Sequence, residues 1–78
     1  MKIEIVTPEK DLYSGDIELA IFPGMLGSFG VLQNHAPLIS TLQEGSIEVV
    51  ESDKKKKSFD IKGGVVEVLN NKIIVLAE

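Results

Sequence analysis

The sequence predicts an all-β fold, a small two-sheet β-sandwich or flattened barrel. Three observations carry that reading. Apolar residues recur with period two in nearly every segment. The segments are short and closely spaced, with Gly, Pro and Asn between them. The chain has 78 residues, 44% of them apolar, which is room for one small domain.

Taken in order, Ile3 and Ile5 alternate with Lys2 and Glu4 until Thr7-Pro8 stops the run. Between Asp16 and Phe22, Ile17, Leu19 and Ile21 alternate against Glu18 and Ala20, and Pro23-Gly24 punctuates them. Phe29 and Val31 form a short third element between glycines. Ile47 and Val49 then oppose Glu48, and Phe59 and Ile61 oppose Ser58, Asp60 and Lys62. The last two runs, residues 65–69 and 72–77, are joined by Asn70-Asn71. Asparagine tolerates positive φ, so a tight two-residue hairpin is expected there. Apolar residues fall on both faces of these two runs, which predicts that both of their sides are covered.

The stretch Asn34 to Leu42 reads two ways. Asn34 suits a helix N-cap, Pro37 a first turn, and Leu38, Ile39 and Leu42 one face. A strand after a bend fits equally well. Neither an internal repeat nor a linker is present, so one domain spanning 1–78 is expected.

Composition narrows the function classes. A chain this small removes only about 60% of its unfolded surface from water on folding, so its core is thin and support from a partner is expected. There is no cysteine for a disulfide or a thiolate metal site. The longest fully apolar stretch, Ile73 to Ala77, is far too short for a membrane span. The opening MKIEIVTPEK has no apolar h-region and reads directly as a strand rather than a signal peptide. A net charge of −4 argues against nucleic acid as a partner, because phosphate binding needs a basic surface.

Three features invite chemical readings, each with a plainer one beside it. Glycines 24, 27 and 30 in PGMLGSFG suggest a phosphate cradle, but such loops lead into a helix N-terminus and here Phe29, Val31 and Leu32 follow. Tight turns between strands explain them better. His35 is the sole histidine, without cysteines or a nucleophile elbow to join it. It reads as a residue fixing the bend before Pro37. The run Lys54 to Lys57 reads as a solvated hairpin tip that discourages edge pairing. The alternative is a free-standing carrier or ligand-binding β-domain that uses this lysine-rich hairpin.

Three blocks together resemble the epsilon subunit family of F-type ATP synthases (delta in mitochondrial naming). The first is IVTPEKDLYSGDI, similar to the family's opening strand and turn. The second is FPGMLGSFGVLQNHAPLISTLQEGSIEV, with glycines 24, 27 and 30, then Asn34-His35-Ala36-Pro37-Leu38, then Gly45. The third is IKGGVVEVLNNKIIVLAE, similar to the closing Gly-Gly hairpin. The three stand in register over nearly the whole chain.

The resemblance implies the family's N-terminal domain, two stacked sheets of about ten short, mostly antiparallel strands, with residues 37–42 as strand. It implies a non-catalytic rotor subunit without a cofactor, coupling the gamma subunit to the c-subunit ring during ATP synthesis. Membrane association would come only through the complex, on the cytoplasmic face of the bacterial plasma membrane. Carried over by position, Thr7, Asn34, His35, Pro37 and Ser40 are expected at the gamma subunit, and Met25, Leu26, Ser28 and Phe29 at the c ring. Two departures matter. Ser28 stands where many relatives have a glutamate, so no ion pair is expected from it. The sequence ends at Glu78, before the family's two-helix C-terminal domain, so neither inhibition of hydrolysis nor ATP binding by that domain carries over.

Overall fold

The computed structural model describes all residues, Met1–Glu78, and contains eight β-strands and no helix. These are β1 (Lys2–Val6), β2 (Asp11–Gly24), β3 (Gly27–Leu32), β4 (Leu38–Leu42), β5 (Gly45–Glu51), β6 (Lys56–Ile61), β7 (Gly64–Leu69) and β8 (Lys72–Ala77). All-β is borne out, with eight strands instead of about ten. The difference lies largely in β2, which runs unbroken for 14 residues. Its first half pairs with β1 as far as Asp16, and its second half pairs with β5 from Ile17 and with β3 from Leu19. One strand therefore serves both layers, and the sheet closes on itself as a flattened barrel.

One layer contains β1, β8, β7 and β4, and the other β3, the second half of β2, β5 and β6. All neighbours are antiparallel except β1 and β8, which run parallel with Ile3 beside Ile73 and Ile5 beside Val75. Fifteen apolar residues fill the space between the layers. Ile3, Ile5, Leu42, Val66, Val68, Ile73, Val75 and Ala77 come from the first, and Ile17, Ala20, Phe22, Val31, Ile47, Val49 and Ile61 from the second. Phe22 packs on Phe29 with ring centroids 5.6 Å apart and planes tilted by 33°, within the separation favourable for aromatic pairs.

The alternation expected in residues 16–22 changes phase. Ile17 is buried as expected, but beyond it Ala20 and Phe22 face the core while Leu19 and Ile21 are only half-buried. The cause is a β-bulge. Ile17 lies opposite Glu51 and Leu19 opposite Val50, so Glu18 is an extra residue on β2 and the following side chains swap faces.

Asn70 and Asn71 make the tight hairpin, with φ of 50° and 60° and Leu69 opposite Lys72. The ambiguous stretch resolves into a turn and a bend followed by β4. Asn34 sits at φ 66°, and the His35 N–H donates to the Leu32 carbonyl at 3.2 Å, which closes the turn. The lysine run lies only partly at the expected hairpin tip: Lys54 and Lys55 are in the turn, and Lys56 and Lys57 already pair with Val50 and Val49 as the start of β6. Lys54 reaches Glu18 at 2.6 Å, Lys57 reaches Glu51 at 3.3 Å, and Lys55 approaches Asp53 at 3.9 Å. Three of the four lysines thus face carboxylates of their own chain.

Gly63 and Gly64 join the layers at φ of 151° and 148°, a region that disfavours L side chains. A Cβ on Gly64 would collide with the Leu76 carbonyl oxygen, so glycine is what lets β7 begin flush against the end of β8.

Candidate functional site

The expected cover over both faces of β7 and β8 is absent. Their inner faces are buried, but Val65, Leu69 and Leu76 are exposed on the outer face. Register shows what lies beside them. One outer row runs Ile39, Glu67, Ile74, Glu4, and the next runs Thr41, Val65, Leu76, Val6. Ile39 is 72% exposed and Leu76 59%, in a chain whose buried core holds only 15 apolar residues. Exposed apolar side chains gathered on one sheet face, here with Glu4 and Glu67 among them, make this a candidate interaction surface. The expectation that both faces of β7 and β8 are covered is therefore corrected: Val66, Val68, Ile73 and Val75 are buried on the inner face, and the apolar residues of the outer face stand open.

The residues expected at the gamma subunit lie around this face without clustering. Thr7 follows β1 at the end where β8 finishes. Its hydroxyl donates to the Lys10 carbonyl at 2.9 Å and accepts from the Lys10 N–H at 3.2 Å. Asn34, His35 and Pro37 lie at the opposite end, in the β3–β4 connection. That connection is pinned to the β7–β8 hairpin: the Asn34 N–H donates to Asn71 Oδ1 at 2.6 Å, and Asn71 Nδ2 donates to Asn34 Oδ1 at 3.0 Å. The half-buried His35 ring turns Nδ1 onto the Ala36 carbonyl oxygen at 2.7 Å, a contact that holds the bend. Ser40 departs from this group. It lies mid-strand in β4, half-buried between the exposed Ile39 and Thr41, and all three border a second surface.

That second surface is a groove of about 500 Å³ bounded by the β2–β3 hairpin and β4. Met25, Leu26, Ser28 and Phe29, the residues expected at the c ring, all line it, together with Ile39, Ser40 and Thr41. Met25 and Leu26 form the hairpin tip. Leu26 is fully exposed and Met25 more than half, so this loop does not fold back over the core. Gly27 at φ 126° turns the chain there, and the Met25 N–H donates to the Thr41 carbonyl at 3.0 Å. Ser28 is exposed, while Phe29 reaches inward to Phe22.

The family of the ATP synthase delta/epsilon chain, β-sandwich domain, matches residues 1–78. The chain belongs to this family. The epsilon chain of Chlorobium limicola is 44% identical over 77 residues, covering 99% of this chain and 88% of that one. The epsilon chain of Leptospira interrogans is 41% identical over 78 residues, all of this chain and 61% of that one. Among solved structures, the Euglena gracilis mitochondrial ATP synthase holds a chain that superposes with a TM-score of 0.86 at 19% identity, covering 96% of this chain and 48% of that one. One in the Tetrahymena thermophila central stalk and c ring gives 0.82 at 17% identity, covering 99% and 62%. At such identities the two structures speak for the fold, and this chain spans about half to three fifths of their length. An epsilon chain is a non-catalytic subunit of ATP synthase.

Residue-by-residue sequence reading missed Ile39, Val65, Leu69 and Leu76 as surface residues. The signal was there in β7 and β8, whose apolar residues outnumber what one buried face can use.

Proposed function

We propose that this chain is a rotor subunit of an F-type ATP synthase, coupling the gamma subunit to the c ring as proton flow drives ATP synthesis. The observation that carries the proposal is the uncovered apolar face of β4, β7 and β8. A domain this small exposes Ile39, Leu69 and Leu76 at a cost in solubility, and a permanent partner removes that cost. The gamma subunit takes this face, with Thr7 at one end and Asn34, His35 and Pro37 at the other. The c ring meets the β2–β3 hairpin through Met25, Leu26, Ser28 and Phe29, with Ser40 bordering the same groove. The chain then associates with the cytoplasmic face of a bacterial plasma membrane only through the complex.

A closed barrel suits torque transmission. Its 49 backbone hydrogen bonds link every strand, so a push at the β2–β3 hairpin reaches β4 through the Met25–Thr41 bond. Ser28 supplies no charge, and apolar packing by Met25 and Leu26 makes the c-ring contact insensitive to salt.

The test is the double substitution Met25→Lys and Leu26→Lys in the intact synthase. Both side chains are exposed, so the chain folds normally while ATP synthesis falls away from proton flow. Normal coupling in that variant removes the hairpin from the c-ring contact.

A further inference from the structure

Residues 19–43 contain no Asp, Glu, Lys or Arg, although the chain carries 20 such residues. Only Ala20, Phe22, Val31 and Leu42 of that stretch belong to the core. The stretch includes the exposed hairpin tip, β3, the turn at Asn34 and β4. Within it lies a free sheet edge, because β3 pairs with β2 alone.

The hydrogen-bonding phase of that edge follows from the hairpin. Gly24 and Gly27 flank a two-residue loop and form the closing, hydrogen-bonded pair, so Phe29 and Val31 also point their backbone groups at β2. Pro23, opposite Ser28, has no N–H to offer and turns its carbonyl the other way, to Gln43 N–H at 2.9 Å. Ser28, Gly30 and Leu32 therefore direct their N–H groups away from β2, and Ser28 and Gly30 their carbonyls too. The Leu32 carbonyl is taken by His35.

Sheet edges are normally guarded by charge or proline. The other strand with a single neighbour, β6, follows that rule with Lys56, Lys57 and Asp60. β3, with the sequence GSFGVL, has no guard. Two glycines also keep it open to a close approach.

We infer that the free edge of β3 accepts an extended, uncharged segment of a partner chain, which joins the sheet as an added strand. Backbone groups spaced two residues apart along an edge match the spacing of another strand, which can take the place of water on all of them together. The lack of charge from residue 19 to 43 selects the occupant, since a charged side chain seated there would meet no counter-charge. The rotor reading enters only in choosing the assembly in which to look.

The experiment is residue-resolved amide exchange of the full chain, free and within the purified ATP synthase. Ser28, Gly30 and Leu32 should exchange fast in the free chain and about tenfold or more slower in the enzyme, with Phe29 and Val31 slow in both. Gly30→Pro removes the edge N–H but no bond to β2, and it should strip the subunit from the enzyme. Gly30→Ala, whose Cβ meets nothing closer than Leu19 Cδ1 at 3.7 Å, should assemble normally. Unprotected edge amides in an enzyme that contains the subunit overturn the inference while leaving the rotor reading intact. Absence of the subunit from the enzyme overturns the rotor reading instead. Protection that appears in the free chain as its concentration rises assigns the edge to a second copy, and also overturns the inference.

Discussion

Asn34 and Asn71, 37 positions apart, hold the β3–β4 connection onto the β7–β8 hairpin. Asn71 Oδ1 accepts from the Asn34 N–H and Asn71 Nδ2 donates to Asn34 Oδ1. Both residues also occupy the left-handed region. Glycine keeps that backbone and removes only the amide, so it isolates the contact. Asn71→Gly should cost about 1 kcal/mol of unfolding free energy in denaturant titration. Asn34→Gly should cost less, because its N–H keeps its partner. Equal costs would mean that the Asn71 Oδ1 bond contributes nothing.

Two glycine-to-alanine changes should differ sharply. Gly64→Ala adds a Cβ against the Leu76 carbonyl at φ 148°, and should cost about 2 kcal/mol or more. Gly30→Ala meets only ordinary contacts and should leave the melting temperature within about two degrees. Thermal unfolding followed by circular dichroism ranks them directly.

Tyr13 holds its proton more tightly than a free tyrosine. Burial, then donation to the Glu51 carboxylate, then the charge of Glu51 push its hydroxyl up from 10.0 to about 12. The raised value means the folded state holds the proton more tightly than the unfolded chain. The stabilisation is complete below pH 10 and is lost as pH rises through about 12. Tyr13→Phe lacks the proton. Its stability difference from the parent should be constant below pH 10 and shift in favour of phenylalanine between there and 12. A constant difference across that window would show that the hydroxyl titrates normally.

Substituting lysine at Ile39 and Leu76 should leave the free chain folded, with stability changed by no more than about 0.5 kcal/mol each, because both side chains already face water. If this face meets the gamma subunit as proposed, the same pair should reduce retention of the subunit in the intact synthase about tenfold or more, since it replaces two apolar contacts with charges that the contact must desolvate. Full retention would place that contact on another face.

His35→Ala should lower the melting temperature of the free chain by only a few degrees, as it loses one contact to a neighbouring carbonyl. Its larger effect should appear in assembly, read as the fraction of enzyme containing the subunit. A melting-temperature loss of ten degrees or more would make the ring a structural residue alone.

Much of this protein was legible residue by residue. Ile3, Ile5, Ile47 and Val49 alternate in the sequence and are buried in the structure, because a strand with one covered face has only two places to put a side chain. Asn70-Asn71 announced its hairpin, since two adjacent residues at positive φ demand that chemistry. The family resemblance was carried by residues that turns and close approaches require, such as Gly63-Gly64 and Asn34 to Pro37. Other features were decided only when the chain closed on itself. Glu18 became a bulge because β5 had to pair with β2 after the bend, and one extra residue then sent Leu19 and Ile21 outward. Ser40 lies away from the turn at Asn34 because β4 carries it along the sheet to the groove, with Ile39 and Thr41 beside it. Above all, apolar residues on both faces of β7 and β8 predicted two covers. The fold buries one of those faces and leaves Val65, Leu69 and Leu76 exposed on the other, because burial is a property of neighbours and not of residue type.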